Sequence, residues 1–214
     1  MITLTNVSKY YETAQGSQIV LHNASCRISK NQHLGILADT RSGKSTVVRM
    51  LAGVEDVDEG SITKEGAVSW PIGFAGGFHS DLTGEENIRM IAALHRLEPD
   101  EMCLYCADMS ELGDDFFQPV RNYSSGMRAA LGFALSMAMD FDVYLADESV
   151  GVGNEAFRRK CEVILDARIQ DRTFILFSRN IRLLKRFCTD AAVLKDGKIV
   201  TCDSFDEAAK LLVA

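Results

Sequence analysis

The chain has 214 residues, of which 47% are hydrophobic and 25% are charged, a composition typical of a globular domain. This length predicts one compact domain with room for an inserted subdomain. The formal net charge of -7 argues against a surface built to hold nucleic acid, and the most apolar stretch, residues 129–139, is shorter than the roughly 18 residues that a bilayer span takes.

The N-terminal part predicts an antiparallel β-layer. Residues 2–4 and 17–28 have the pattern of strands, and the polar, glycine-containing stretch 12–17 separates them. The first seven residues alternate apolar and polar and lack the basic start and apolar run of a signal peptide. We therefore expect a cytoplasmic chain whose six cysteines are free thiols.

The next segment has the order of a phosphate-binding motif. Residues 33–38 predict a buried strand, and residues 45–52 predict a helix that ends at Gly53. Between them lies the loop Ala38-Asp39-Thr40-Arg41-Ser42-Gly43-Lys44-Ser45, followed by Thr46. Backbone N–H groups at the helix N-terminus would bind phosphate, Lys44 would reach the β- and γ-phosphates, and Ser45 would place its hydroxyl on Mg²⁺. A chance Gly-Lys-Ser-Thr loop is the alternative interpretation.

Two positions of this loop depart from the P-loop pattern. Ala38 replaces the first glycine, and Arg41 stands at a central position where glycine is usual. Glycine is favoured where the backbone takes a positive φ or closely approaches phosphate, so each replacement predicts strain or obstruction of the nucleotide. We expect binding to survive in weakened form, with Arg41 the larger obstacle because its side chain must leave the loop.

From about residue 82 to residue 112 the pattern is mostly helical. Thr83 gives a helix-start signal, and the candidate buried positions are Leu94, Leu97 and Met102. A second helix is predicted after Ser124-Ser125-Gly126, with an apolar side made of Met127, Leu131, Leu135 and Met139. We interpret residues 78–139 as a helical subdomain inserted into a single α/β domain, 1–214, whose other parts are residues 1–77 and 140–214.

The α/β pattern resumes after the helical segment. Strands predicted at residues 143–146 and 173–177 alternate with helices at residues 155–169 and 181–188, and a hairpin turns at Asp196-Gly197. The predicted fold class is therefore α/β: a P-loop NTPase with an N-terminal antiparallel β-layer, a mostly parallel core sheet and an inserted helical subdomain.

Two carboxylates follow the strand predicted at residues 143–146. We expect this strand to lie beside the loop strand, so that Asp147 holds Mg²⁺ through its water shell and Glu148 orients or activates the attacking water. An ordinary helix-capping turn is the alternative for this pair. Upstream, Ser124-Ser125-Gly126 can offer hydroxyl and N–H donors to a phosphate, with a plain helix cap as the alternative.

The order of these motifs resembles the nucleotide-binding subunit of ABC transporters over nearly the whole chain. By this resemblance Ser124-Ser125-Gly126-Met127 matches the signature motif, Asp147 the Walker B aspartate, Glu148 the catalytic glutamate and Tyr11 the aromatic residue that stacks on adenine. The chain is similar, more narrowly, to the ATPase subunits of capsular-polysaccharide exporters, which are related to O-antigen exporter ATPases. The segments that carry this similarity are Ser69-Trp70-Pro71-Ile72-Gly73, Ala75-Gly76-Gly77-Phe78-His79, Leu82-Thr83-Gly84-Glu85-Glu86-Asn87, Tyr123-Ser124-Ser125-Gly126-Met127-Arg128, Phe141-Asp142-Val143-Tyr144-Leu145-Ala146-Asp147-Glu148 and Val152-Gly153-Asn154-Glu155-Ala156-Phe157.

The resemblance implies an ATPase that couples Mg-ATP binding and hydrolysis to export of a capsular polysaccharide, with ATP and Mg²⁺ as cofactors. Two copies would pair head to tail, with each ATP between the Lys44 loop of one subunit and Ser124-Ser125-Gly126 of the other. The helical subdomain, from His79 onward, would contact a separate membrane-spanning permease. The subunit would therefore lie at the cytoplasmic face of the inner membrane.

Three further positions depart from the family pattern. His79 stands at the position of the Q-loop glutamine, Asn154 at that of the D-loop aspartate and Arg179 at that of the switch histidine, which contacts the γ-phosphate. Arginine supplies a permanent positive charge but cannot shuttle a proton. With Ala38 and Arg41, these changes predict slow hydrolysis. They also leave open a second hypothesis, a nucleotide-binding regulatory or structural partner of such a transporter whose hydrolysis is impaired.

Cys103 and Cys106 have the spacing of a redox or metal pair. No second ligand pair stands nearby in the sequence, so a zinc site is disfavoured. We expect two free thiols on a helix surface or in the packing of the helical subdomain.

Overall fold

The computed structural model describes residues 1–13, 16–40, 42–74, 76–148 and 154–213. The strands are β1 (Ile2–Thr13), β2 (Gly16–Ile28), β3 (His33–Ala38), β4 (Glu59–Lys64), β5 (Val68–Pro71), β6 (Val143–Asp147), β7 (Thr173–Ser178), β8 (Asp190–Lys195) and β9 (Lys198–Cys202). The α-helices are α1 (Lys44–Ala52), α2 (Gly84–His95), α3 (Pro99–Ser110), α4 (Ser125–Ala138), α5 (Glu155–Ile169), α6 (Ile181–Phe187) and α7 (Phe205–Val213). Short 3-10 helices span Gly113–Phe117 and Val120–Asn122. No helix within the described ranges is long and apolar enough to cross a membrane.

Two compact units make up the chain. The first contains Met1–Pro71, Phe141–Ser149 and Ile169–Ala214, and the second contains Ile72–Asp140 and Val150–Arg168. The first unit holds all the strands named above, whereas the second is built from helices and turns.

A three-stranded antiparallel sheet in the order β2-β1-β4 forms one part of the first unit. The predicted strand pair is confirmed, although β1 continues to Thr13 instead of ending at residue 4. Sequence patterns did not indicate β4, which pairs with β1 so that Ile62 lies opposite Leu4. The reason is that none of the six side chains of β4 is buried, so the strand carries no apolar alternation.

A six-stranded sheet in the order β5-β6-β7-β3-β8-β9 forms the other part. Its first five members pair in parallel, and β9 pairs antiparallel with β8 across the predicted hairpin turn. The prediction that β6 lies beside β3 is wrong, because β7 and β8 occupy the two edges of β3 and β6 pairs with β7. The carboxyl ends of β3, β6 and β7 still meet at one edge of the sheet, which is where a parallel sheet places its ligand site.

The core of the first unit joins both sheets to α1. Its buried side chains include Leu4 of β1, Leu21 of β2, Ile36 of β3, Leu145 of β6 and Phe177 of β7. Helix α1 contributes Val47, Val48, Met50 and Leu51 to the same cluster. Because one face of α1 is buried in this way, the position of its N-terminus is fixed relative to the ends of the strands.

Helix α2 of the second unit begins with a well-formed cap. Glu86 N–H donates to Thr83 Oγ1 at 3.0 Å, and Thr83 N–H donates to Glu86 Oε2 at 2.8 Å, a reciprocal capping box that starts α2 as predicted. The predicted burial of Leu94 and Leu97 is wrong, since their exposures are 75% and 40%. Helix α2 buries a different face, formed by Asn87, Ile88 and Ala92.

Helices α3 and α4 supply much of the interior of the second unit. Met102 is buried as predicted, and both Cys103 and Cys106 are buried free thiols, which agrees with a packing role. Burial raises the pKa of Cys106 to about 12, so this sulfur stays protonated at neutral pH. In α4, Leu131 and Leu135 are buried as expected, whereas Met127 is half-buried; Met139, which directly follows the helix, is buried as expected.

Candidate functional site

The phosphate loop connects the end of β3 to the start of α1. Gly43 is the residue before α1 and has a left-handed backbone with φ of 84°. A Cβ at this position would lie 2.5 Å from Val20 Cγ1, so both the conformation and the contact with β2 require glycine. A glycine cap has no side chain to satisfy the first N–H groups of α1. The N-terminus of α1 is therefore suited to bind an anion.

Ala38 takes the place of the first glycine of the motif without cost to the backbone. It is the last residue of β3, it pairs with Leu194 of β8, and it is completely buried. Because a strand residue has an extended backbone, alanine fits there, and the expected strain is not found at Ala38. Arg41, the other predicted departure, lies outside the described residues.

One carbonyl organises the described part of the loop. Asp39 O accepts hydrogen bonds from Ser42 N at 3.3 Å, from Ser42 Oγ at 2.8 Å and from Lys44 Nζ at 3.1 Å. The carboxylate of Asp39 accepts from Thr40 N–H at 2.6 Å. Lys44, whose side chain is only 10% exposed, is thus directed back over its own loop, where a bound phosphate would lie.

Ser45 and Asp147 meet although 102 residues separate them. Ser45 Oγ donates to Asp147 Oδ2 at 2.6 Å, which joins the first turn of α1 to the end of β6. The other carboxylate oxygen, Asp147 Oδ1, is buried and finds no hydrogen-bond partner among the described residues. A buried oxygen without a donor is costly unless a cation satisfies it, and hydroxyl plus carboxylate is an oxygen donor set that Mg²⁺ accepts. These two residues therefore fit a Mg²⁺ site.

Glu148 is held by cationic and polar groups. Its carboxylate oxygen Oε1 lies 2.8 Å from Lys44 Nζ, and Oε2 lies 3.5 Å from both Ser178 Oγ and Arg179 N. Its own N–H donates to Phe177 O at 2.8 Å, so the end of β7 fixes its backbone. The carboxylate is thus positioned by the Lys44 loop on one side and by the end of β7 and the residue after it on the other.

Arg179 adds a second cation at this edge of the sheet. Its Nε lies 3.9 Å from Glu148 Oε1, and its Nη1 donates to Thr40 Oγ1 at 3.3 Å. Its side chain is 64% exposed, so solvent screens these contacts and leaves the guanidinium able to move toward a ligand. The predicted residues Lys44, Ser45, Asp147, Glu148 and Arg179 are therefore brought together by the first unit.

Tyr11 lies on β1 and also reaches α1. Its hydroxyl lies 3.3 Å from Thr46 Oγ1, and it donates a hydrogen bond to Glu55 Oε1. The aromatic residue expected to stack on adenine is thus connected to the residue that directly follows Ser45.

The second unit contains two other predicted parts of the site, His79 and the Ser124-Ser125-Gly126 turn. Ser124 Oγ accepts from Met127 N–H at 3.2 Å, so the hydroxyl caps α4, as the alternative interpretation stated, while Ser124 and Ser125 remain exposed. His79 N–H donates to the buried Asn87 Oδ1 at 2.7 Å, and His79 Nδ1 accepts from Asp81 N–H at 3.3 Å. The Nε2 side of the exposed His79 ring then carries the proton in the neutral form.

Asn154 begins α5. Its Oδ1 accepts from Phe157 N–H at 2.9 Å, which is the bond that an N-terminal helix cap makes. A neutral side chain can make this bond as well as aspartate can. Val152 and Gly153, which precede it in the similarity described above, lie outside the described residues.

Comparison with known proteins places this geometry in a family. The ABC transporter family profile matches residues 21–151. The chain is 40% identical over 208 residues both to the ATP-binding protein BexA of Haemophilus influenzae and to the capsule polysaccharide export ATP-binding protein CtrD of Neisseria meningitidis serogroup B, covering 97% of this chain and 96% of each relative.

The chain belongs to the ABC transporter family. Among solved structures, it is similar to a dimeric post-hydrolysis state of the ATP-binding cassette MJ0796 bound to ADP and phosphate, with a TM-score of 0.79 and 20% identity over 93% of this chain and 96% of that one. The predicted fold class is thereby confirmed as an ABC ATPase cassette with an antiparallel sheet and a mostly parallel mixed sheet.

Sequence reasoning missed two residues that contact the candidate site. Glu55 contacts Tyr11, and Ser178 contacts Glu148. Thr40, which contacts Arg179, was predicted as part of the loop. Ser178 had one available signal, its place beside Arg179 at the end of a predicted strand. Glu55 had none, because it lies in a polar turn after α1 and meets Tyr11 only through the tertiary fold.

Proposed function

We propose that this chain is the ATP-binding subunit of an ABC exporter and that it couples Mg-ATP binding and hydrolysis to export of a capsular polysaccharide across the inner membrane. The observation that carries the proposal is the meeting of Lys44, Ser45, Asp147 and Glu148 at the carboxyl ends of β3 and β6. The capsule polysaccharide export ATP-binding protein CtrD, a relative at 40% identity over nearly the whole chain, supports the choice of the polysaccharide class.

ATP binding would exchange the internal contacts of the loop for contacts with phosphate. The N–H groups at the start of α1 and the Lys44 ammonium both favour an anion. Lys44 Nζ now contacts Asp39 O and Glu148 Oε1, and the γ-phosphate would replace these acceptors. Ser45 and Asp147 would hold Mg²⁺, which when bound neutralises part of the phosphate charge.

Glu148 would act as the general base that accepts a proton from the attacking water. Once Lys44 turns to phosphate, the carboxylate loses its nearest cation and is able to accept a hydrogen bond from water and then its proton. Arg179, beside it, would stabilise the negative charge that develops on the transferred phosphoryl group, and would do so at any physiological pH. His79 stays a predicted catalytic residue, by its match to the Q-loop position of the family.

Two subunits would complete the site. Ser124 and Ser125 are exposed at the N-terminus of α4, so the hydroxyls and N–H groups of this turn are available to the ATP of a second copy. We infer a head-to-tail homodimer with each ATP between the Lys44 loop and the partner's turn. The helical unit would contact a membrane-spanning permease, which puts the subunit at the cytoplasmic face of the inner membrane.

A hydrolysis-impaired regulatory partner is the weaker alternative. The proposed catalytic side chains Lys44 and Glu148 are both present and in contact, and Ala38 causes no backbone strain. Slow turnover because of Arg41, Asn154 and Arg179 stays a prediction.

The deciding experiment is ATP hydrolysis and capsule export by the Lys44→Ala variant, assayed with the permease in membranes. We expect hydrolysis to fall about 100-fold or more, because a cation that stabilises phosphate charge is removed, and export to stop. Lys30→Ala, which removes an exposed lysine in a turn of the same unit, is the matched control and should hydrolyse ATP normally. Unchanged turnover in Lys44→Ala, or no Mg-ATP binding by the unmodified protein, would contradict the proposal.

A further inference from the structure

A compact polar cluster surrounds the hydroxyl of Tyr11. Besides its bond to Glu55 Oε1, this hydroxyl lies 3.3 Å from Thr46 Oγ1 and 3.5 Å from Arg49 Nη2. Arg49 in turn donates from Nε to Glu55 Oε2 at 2.8 Å and from Nη2 to Thr46 Oγ1 at 3.2 Å. Thr46, Arg49 and Glu55 thus contact the phenol, and Arg49 also contacts the other two.

Lys9 closes one side of this cluster. Its ammonium lies over the Tyr11 ring, 5.5 Å from the centroid, and 3.7 Å from Glu55 Oε1. Asp58 holds the same ammonium at 3.0 Å from the outer side. The cation over the ring and the core cluster against which Tyr11 packs both restrict the orientation of the ring.

Glu55 is the carboxylate that both cations of the cluster, Lys9 and Arg49, contact. Its side chain is 17% exposed, and that partial burial tends to raise its pKa, but the hydrogen bonds from Tyr11 and Arg49 and the charges of Arg49 and Lys9 hold the pKa below its ordinary value. The carboxylate is thus ionised at neutral pH and acts only as an acceptor, which makes the Tyr11 hydroxyl the donor.

We propose that Glu55 is a positioning residue for nucleotide binding: it fixes the Tyr11 ring as a platform for the adenine base, and Arg49 and Lys9 hold Glu55 in place. This inference rests on the proposed function, since it assumes that ATP binds at the Lys44 loop. Tyr11 lies on β1, whereas Thr46 and Arg49 lie on the helix whose N-terminus would bind the phosphates. The cluster consequently sets the distance between the base platform and the phosphate loop.

The benefit of such a cluster is preorganisation. An aromatic side chain that is ordered only on binding loses about 0.5–1.5 kcal/mol of favourable free energy, which is a factor of roughly two to ten in affinity. Removing Glu55 should therefore weaken the binding of nucleotides that have a base. It should not affect a triphosphate that has none.

The test compares Mg-ATP with Mg-tripolyphosphate as ligands of the full chain, by calorimetry. We expect Glu55→Ala to weaken Mg-ATP binding about three- to tenfold and to leave Mg-tripolyphosphate binding unchanged. In steady-state hydrolysis KM should rise by a similar factor with kcat nearly constant. Glu59→Ala removes an exposed glutamate four residues away, outside the cluster, and should change neither affinity.

Tyr11→Phe provides a second and milder variant, because it keeps the ring and deletes only the hydroxyl that Glu55 binds. It should show the same selective loss of Mg-ATP affinity, and Tyr11→Phe combined with Glu55→Ala should bind Mg-ATP no more weakly than Glu55→Ala alone. If Glu55→Ala does not fold, Tyr11→Phe carries the test by itself.

Two results would overturn the inference while leaving the proposed function intact. One is equal weakening of Mg-ATP and Mg-tripolyphosphate, which would show that Glu55 supports the phosphate loop rather than the base platform. The other is unchanged Mg-ATP affinity in both variants. An unmodified protein that binds neither ligand would instead overturn the proposed function, and the inference with it.

Discussion

The two ends of the proposed nucleotide site are organised in opposite ways. The phosphate end consists of Lys44, Ser45, Asp147, Glu148 and Arg179, and the base end consists of Lys9, Tyr11, Thr46, Arg49 and Glu55. At the phosphate end, cation and carboxylate bind each other, and the Lys44–Glu148 contact must break before either can act on ATP. At the base end, the Tyr11 hydroxyl is already held by Glu55, and the ring already lies against Lys9 and the core of the first unit. The proposed reactive groups, Lys44 and Glu148, are thus paired with each other and have to separate before they act. The proposed base platform, Tyr11, is already positioned without ligand.

The largest effect is expected from breaking the Lys44–Glu148 ion pair at the phosphate end. Glu148→Gln removes the proton acceptor and should lower ATP hydrolysis by about 10²- to 10⁴-fold, the usual contribution of a general base. Mg-ATP should bind at least as tightly as before, because Lys44 loses a competing partner. Rapid-quench hydrolysis and equilibrium binding measure the two quantities.

A matched control for this variant is Glu155→Gln, which neutralises an exposed glutamate at the start of α5. It should hydrolyse ATP at the normal rate. Hydrolysis by Glu148→Gln within threefold of the unmodified protein would show that the Lys44–Glu148 pair is structural.

A smaller effect is expected from making the second cation titratable. Arg179→His places a group with a pKa of about 6.5 where the guanidinium now stands. The imidazole is charged at pH 6 and neutral at pH 8, so the ratio of the variant's kcat to that of the unmodified protein should fall several-fold between pH 6 and pH 8. A pH profile of kcat for both proteins measures the ratio.

The control here is Arg182→His, an exposed position on α6 that makes the same chemical change away from Glu148. The ratio of its kcat to that of the unmodified protein should not depend on pH. A constant ratio for Arg179→His as well would mean that the charge of Arg179 does not act on the reaction.

The smallest effect is expected from Thr46, the residue of α1 that connects Tyr11 at the base end to the helix of the phosphate loop. Thr46→Val removes the hydroxyl that Tyr11 and Arg49 contact and keeps the shape of the side chain. Since losing the Tyr11–Thr46 hydrogen bond costs about 1 kcal/mol or less and Arg49 keeps its bond to Glu55, KM for ATP should rise about two- to threefold with kcat unchanged. Thr63→Val, on the exposed strand β4, is the control, and a fall in kcat for Thr46→Val would mean that the link serves the chemistry instead of the base.

Elements with strong periodicity were predictable from the sequence. β3, α1 and α5 begin and end within one residue of the expected positions, because buried strands read as apolar runs and α1 stops at a glycine that adopts the left-handed conformation. β4 and the four-residue β5 carry no such pattern, since tertiary pairing alone makes them strands. α7 had a usable signal that was not recognised: Glu207 N–H donates to Ser204 Oγ at 3.2 Å, an N-terminal cap.

The phosphate end of the site was predictable and the base end was not. Lys44, Ser45, Asp147 and Glu148 follow strands in a fixed motif order, so strand ends bring them together even though β6 is not the neighbour of β3. Tyr11 came from family resemblance, and its partners Arg49 and Glu55 follow no motif. Their contact depends on how the turn after α1 folds toward β1, which a local pattern cannot specify.

The backbone of Glu148 has a consequence for the whole fold. Its φ of 66° lies in the left-handed region, where a non-glycine residue costs about 1–3 kcal/mol. A sequence selected for thermal stability alone would carry glycine or asparagine there, and the domain gives up a noticeable share of its stability of about 5–15 kcal/mol by keeping a glutamate. Glu148, the proposed general base, thus also lowers the free energy of unfolding. At this one residue, activity is favoured at the expense of stability.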